Sequence, residues 1–89
     1  MFVVCGEALL DLFADESGAG LSFRARIGGS PFNVAVGLAR LGAASALMTG
    51  LSADRLGARL DAALAEEGVS RDLLQRVAAH TTLSLVDIV

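Results

Sequence analysis

The chain is 89 residues long and 54% hydrophobic, with ten acidic side chains against seven basic ones, all arginine, for a net charge of −3. That balance, with no basic cluster, excludes the electrostatic footprint of a nucleic-acid binder, and the lack of lysine excludes a Walker-type phosphate loop. A mean hydropathy of +0.63 is high for a chain short enough to bury only ~60% of its unfolded surface, and suits a slice of a larger α/β core.

Residues 1–13, MFVVCGEALLDLF, are apolar but lack a basic leader and are interrupted by Glu7 and Asp11, so they are expected to be structure rather than a signal peptide. Within them FVVC (2–5) is a continuous apolar run, the mark of a strand covered on both faces. Gly6 and Glu7 are expected to form a bulge, with ALLDLF (8–13) continuing the same strand. The single cysteine, Cys5, permits no internal disulfide and is expected to be a buried, reduced thiol in a cytoplasmic protein. ADESGAG (14–20) is a turn by composition. LSFRARI (21–27) alternates, with Leu21, Phe23, Ala25 and Ile27 on one face and Ser22, Arg24 and Arg26 on the other, which predicts a half-exposed strand.

GGSPFNVAVGLARLG (28–42) follows. Ser30 is the predicted N-cap, and Pro31 takes the first helical position, where its missing N–H is harmless. The helix runs to about Leu41 and stops at Gly42. Only Asn33 and Arg40 are polar within it, so it needs cover nearly all round. ASALMTG (44–50) reads as a buried strand, and residues 53–67 as a helix with Leu56, Leu60, Ala63 and Leu64 on one face. Gly68 and Val69 suit a Schellman stop. After an irregular piece, TTLSLVDIV (81–89) reads as a further strand that ends without a turn signal, and the chain is expected to be part of a longer polypeptide.

Strand–helix–strand units of this length imply parallel pairing with right-handed crossovers. Such a sheet needs helices on both faces, which two helices cannot provide, so further chain or a partner is expected. No uncharged run reaches the ~20 residues of a membrane span; the longest lie between Arg26 and Arg40 and between Arg40 and Asp54. Neither membrane nor nucleic acid is an expected partner.

In open α/β sheets, ligands sit beyond the carboxyl ends of the strands. Asp11 is expected near such an end, and Gly28-Gly29 opens a helix after a strand. Adjacent glycines let backbone approach a ligand, a carboxylate accepts two hydroxyl hydrogen bonds, and Asn33 offers a donor and an acceptor. Together they suit a polyhydroxylated ligand. Singly, Asp11 reads equally as a turn cap, Asn33 as a polar residue of the first helical turn, and the glycines as a sharp bend. Phosphate binding at the helix start is the nucleotide alternative, but G-x-G-x-x-G fails, with Ser30 and Asn33 standing where its second and last glycines belong.

GEALLD (6–11), GGSPFNVAVGLARLG (28–42), Asp54-Arg55-Leu56-Gly57, EEGV (66–69) and Thr81-Thr82-Leu83 resemble the N-terminal third of the PfkB carbohydrate kinases, closest to the fructokinase-type members. The resemblance implies a ribokinase-like α/β fold, here its N-terminal portion, with a parallel sheet, flanking helices and part of a small β lid formed by residues of about 14–27 and 81–89. It implies ATP-dependent phosphorylation of a sugar hydroxyl, with ATP and Mg2+ as cofactors and fructose or a related sugar as substrate. Carried over, Asp11 and Asn33 bind sugar hydroxyls, Gly28 and Gly29 line the sugar by their backbones, and the lid strands make a homodimer contact. Ser52 replaces a glycine usual in the family, which bears on the local turn; His80 stands where proline is common and reads as a solvent-facing loop residue. The family's G-A-G-D stretch, with the catalytic Asp and the anion hole, does not occur, so no catalytic, metal or ATP-binding residue is expected here and these residues alone are expected to be inactive. The alternative is a non-catalytic sugar-binding or interaction module of the same fold.

Overall fold

A computed structural model describes residues 1–15, 18 and 20–86. In chain order the elements are β1 (Phe2–Cys5), β2 (Leu9–Asp15), β3 (Ser22–Gly28), α1 (Ser30–Arg40), β4 (Ser45–Ser52), α2 (Arg55–Glu66), β5 (Leu74–Val77) and β6 (Leu83–Val86). They form two sheets, one ordered β1-β4-β5 and the other β3-β2-β6. The first is wholly parallel, with Val4 opposite Leu47 and Leu51 opposite Arg76. In the second, β2 pairs antiparallel with β3 and parallel with β6. The expected α/β architecture with a parallel sheet and flanking helices is therefore present.

Both helices lie on one face of the parallel sheet. Phe32, Ala35 and Val36 of α1 and Leu60 and Leu64 of α2 join Leu47 and Leu51 of β4 in one core. Leu47, Leu51, Leu60 and Leu64 are all but inaccessible, and each such leucine contributes roughly 1.5–3 kcal/mol by leaving water. The buried Ser45 hydroxyl donates to the Ala35 carbonyl at 2.8 Å and ties β4 to α1. On the opposite face the register gathers Val3, Met48 and Val77, all exposed. No helix among the described residues is long and apolar enough to cross a membrane.

Both helices end in the Schellman arrangement the glycines predict. The N–H groups of Gly42 and Ala43 bond to the Ala39 and Leu38 carbonyls, and those of Gly68 and Val69 to the Ala65 and Leu64 carbonyls. The two C-termini are joined by a forked ion pair, with Arg40 Nε donating to Glu67 at 2.7 Å and Nη2 at 2.5 Å. The guanidinium holds the Glu67 carboxyl below its usual range.

Several expectations are corrected. Residues 2–13 are not one bulged strand: β1 and β2 lie in different sheets, and Gly6–Ala8 carries the chain between them. The N-cap of α1 is Gly29 rather than Ser30, because the chain enters the helix through a φ of 101°, closed to L side chains at low cost. The helix is buried on one face only, since Val34 and Leu41 are exposed. Leu56 also lies outside the buried face of α2, where Gly57 takes its place. FVVC is not covered on both faces: Phe2, Val3 and Cys5 are exposed, because β1 is an edge strand. The strand β5 lies inside the piece expected to be irregular. Of the strand expected over 81–89, residues 83–86 form β6, while 87–89 lie outside the described residues, as do 16, 17 and 19 of the turn.

Candidate substrate site

Asp11 is the third residue of β2, flanked in register by Arg26 on β3 and Ser84 on β6. It stands within the second sheet, not beyond the end of a parallel strand. Its side chain is half-buried and, among the described residues, makes no hydrogen bond or ion pair. The carboxylate lies over Gly28: a Cβ built there would collide with Asp11 Oδ2 and sit 3.2 Å from its Cγ. Gly28 has no positive φ, so it is glycine for space rather than for conformation.

Gly29 is required twice over, by its φ of 101° and because a Cβ would lie 2.8 Å from the Glu7 carbonyl oxygen. The crossing from β3 to α1 is thereby seated on the crossing from β1 to β2. No side chain caps α1, and no acidic residue stands in its first turn. Asn33 is exposed there, and its backbone N–H donates to the Gly29 carbonyl at 3.0 Å. It lines the groove between α1 and α2 with Phe32, Val36, Gly37, Ala63 and Glu66. The structure thus brings Asp11, Gly28 and Gly29 together, whereas the Asn33 side-chain amide faces the groove between α1 and α2 and makes no hydrogen bond among the described residues.

Three charged residues escaped the sequence reading, two of them neighbours of Asp11. Arg24 and Arg26 share its face of the sheet and, with Phe13, Ala14 and Asp15, line an open hollow of about 450 Å3. The alternation of 21–27 put both arginines on one face; the hairpin register is what sets them beside Asp11. The third is Asp54, the N-cap of α2, which accepts from the Gly57 N–H at 2.7 Å and from the Thr81 hydroxyl at 2.8 Å. These donors, the Gly57 N–H foremost and the Thr81 hydroxyl next, pull its carboxyl down to about 2. Ser52 makes the turn before it, its hydroxyl accepting from the Asp54 N–H at 3.3 Å.

Chemically, an unpaired carboxylate beside bare backbone is an acceptor for ligand hydroxyls, and the adjacent arginines add positive charge. Among the described residues no three of His, Cys, Asp and Glu gather as a metal site would require.

The model of the pfkB family carbohydrate kinases matches residues 1–88. The chain is 38% identical over 91 residues to the probable chloroplastic fructokinase-6 of Arabidopsis thaliana, covering 96% of this chain and 24% of that protein. It is 38% identical over 86 residues to a fructokinase of Escherichia coli, covering 96% of this chain and 27% of that one. Among solved structures, the fructokinase of Xylella fastidiosa with bound ATP superposes with a TM-score of 0.90 at 37% identity, over 98% of this chain and 29% of the other. The chain spans about a quarter of the length of the curated relatives it matches.

Proposed function

The chain belongs to the pfkB family of carbohydrate kinases, and from that we propose that it supplies part of the sugar site of an ATP-dependent, fructokinase-like kinase of the cytoplasm. The observation that carries the reading is the half-buried Asp11 carboxylate held over Gly28, without a hydrogen-bond or ion-pair partner among the described residues. The relatives' names, fructokinases, support fructose as acceptor.

In this reading Asp11 accepts hydrogen bonds from two sugar hydroxyls and orients the ring. The bare backbone of Gly28 and Gly29 lets the sugar approach the sheet crossing, and Asn33 bonds a further hydroxyl from the start of α1. The second sheet acts as a lid that covers the sugar and excludes water, which strengthens every polar contact beneath it. ATP with Mg2+ would supply the phosphoryl group. The base that takes the hydroxyl proton, and the groups that hold the nucleotide, are assigned to polypeptide outside these 89 residues, since phosphoryl transfer rests on positioning and charge stabilisation around the phosphates. The apolar side of the lid, with Phe23 at 44% and Leu85 at 70% exposure, supports a homodimer through the lid strands.

The test is Asp11→Ala in the protein that carries this chain. The fructose KM should rise and kcat fall, with the ATP KM nearly unchanged. Normal sugar kinetics would refute the assignment, and sugar-dependent ATP turnover by residues 1–89 alone would refute the division of labour.

A further inference from the structure

The second sheet joins the parallel sheet through three chain crossings. The first two, at Gly6–Ala8 and Gly28–Gly29, are seated on each other, with Gly29 against the Glu7 carbonyl and the Ala8 Cα. The third, over residues 78–82, is packed differently. A cavity of about 150 Å3 lies there, lined by Ala8, Leu51, Leu60, Thr81 and Thr82 among others. Van der Waals contact alone leaves this crossing slack.

Hydrogen bonds take up that slack. Asp54 Oδ1 accepts from the Gly57 N–H and from Thr81 Oγ1, while Oδ2 accepts from the Thr81 N–H at 3.2 Å. Thr81 is only 9% exposed, so its donors depend on this carboxylate. The next residue continues the path, since the Leu10 N–H bonds to the Thr82 carbonyl at 3.0 Å on the strand that bears Asp11. Capping a helix needs only one side-chain oxygen. Asp54 offers its second oxygen, and a further lone pair of the first, to a residue 27 positions away.

We propose that Asp54 is a positioning residue that latches the lid to the parallel-sheet unit through Thr81, and so sets where the lid holds Asp11 over the sugar. The latch is read from this geometry; its effect on the sugar rests on the function proposed above. A cap and a latch can be separated chemically. Asparagine caps a helix as well as aspartate does, yet Asp54→Asn puts an amide N–H2 in place of one acceptor and cannot satisfy both Thr81 donors along with Gly57. Thr81→Val removes the hydroxyl at nearly constant shape, and Thr81→Ser keeps it.

The experiment is amide hydrogen exchange on these variants in the protein that carries the chain, without sugar, together with fructose kinetics. In Asp54→Asn and Thr81→Val, the amides of β6 and Leu10 should exchange about tenfold faster while those of α2 are unchanged, as expected for local opening after loss of a charge-assisted bond. The fructose KM should rise by about tenfold with kcat within about twofold, since a loosened lid weakens binding without touching the base. Thr81→Ser should match the wild type in both readouts. Unchanged exchange in β6, or equal loosening of α2 and β6 in Asp54→Asn, overturns the latch. Faster exchange with an unaltered fructose KM overturns the positioning role. A wild type that ignores fructose altogether would instead sink the sugar reading, with the exchange result still deciding the latch.

Discussion

Gly28→Ala puts the proposed sugar site under the most direct structural test. Gly28 has an ordinary φ, so alanine is allowed conformationally, and a Gly→Ala change at an allowed position stabilises the fold by ~0.4–1 kcal/mol through the unfolded state. The new methyl, however, must lie where Asp11 Oδ2 now is, with Leu9 Cδ1 at 3.8 Å on its other side. Since Leu9 pairs with Gly28 in the hairpin register, backbone retreat is costly and the carboxylate is the group that moves. Reaching ordinary van der Waals separation takes a shift of roughly 1 Å. A misplacement of that size in a substrate-positioning group lowers turnover by ~100-fold, about 2.7 kcal/mol of lost transition-state stabilisation. The expected result is therefore a fructose kcat/KM down by about two orders of magnitude, with an unchanged ATP KM and an unchanged or slightly raised Tm. A double-mutant cycle isolates the cause: Gly28→Ala placed on Asp11→Ala should cost almost nothing more, because the carboxylate it displaces is already gone. Full additivity of the two changes, or sugar kinetics within about threefold of wild type for Gly28→Ala alone, would refute the reasoning.

Other outcomes follow from the same packing and hydrogen bonds. Asp54 titrates near 2 in the fold against a usual 3.8; its contribution to stability is present above ~4 and is lost as the pH falls through 2. The Tm gap between wild type and Asp54→Asn should accordingly be constant from pH 7 to 5 and close toward pH 2, and a gap that widened on acidification would reverse the sign of the claim. Leu60 is fully buried among Leu47, Leu51 and Leu64, so Leu60→Ala should destabilise by ~2–5 kcal/mol in urea unfolding, since a buried cavity adds to the lost transfer energy. Leu85→Glu, on the exposed apolar face of the second sheet, tests the proposed homodimer: sedimentation should shift from dimer to monomer, and an unaltered coefficient would remove this sheet from any dimer contact.

Much of the fold was legible because local signals and tertiary packing agree. The glycines at 42 and 68 stop both helices as their chemistry requires; the alternation of 21–27 sets the two faces of β3, but Phe23 and Ala25 on the apolar face are exposed as well, so the strand is not half-covered as expected. What was not legible is decided at long range. The apolar run 2–13 carries no mark of which sheet each half joins, so Gly6 and Glu7 read as a bulge until β4 pairs with the first half and β6 with the second. The strand β5 was hidden by Gln75 and Arg76, polar residues on a short edge strand whose arginine finds its partner in Asp61 of α2 at 2.5 Å. Ser30 has the chemistry of an N-cap, but the left-handed turn at Gly29 moves the cap one residue earlier. Of the candidate site, Asp11, Gly28 and Gly29 were singled out by residue type, and the contact of Asp11 with Gly28 emerges only from the hairpin register. Asp54 was visible only within the family-like stretch 54–57, whereas its tie to Thr81 has no sequence signal short of the fold itself.

In the reading proposed above, where the second sheet is a lid, the placement of these residues bears on how it could move without dismantling the site. Asp11 sits on β2 only two residues beyond the strand's start, and Gly28 is the last residue of β3, directly across from Leu9. Both lie at the root of the second sheet, beside the crossings that anchor it. For a sheet turning about its root, displacement grows with distance from the axis. Of the described strand residues, Ser22 and Asp15 at the far end of the hairpin would therefore travel furthest, while the contact between the Asp11 carboxylate and Gly28 would be nearly preserved. Hinge closure of this kind concentrates its backbone changes in a few residues at element ends. Here those ends are Gly6, Gly29 and the segment held by Asp54. Two of the three are glycines at positive φ, committed by their packing, which leaves the hydrogen-bonded crossing at Thr81 as the one whose geometry a single side chain can release.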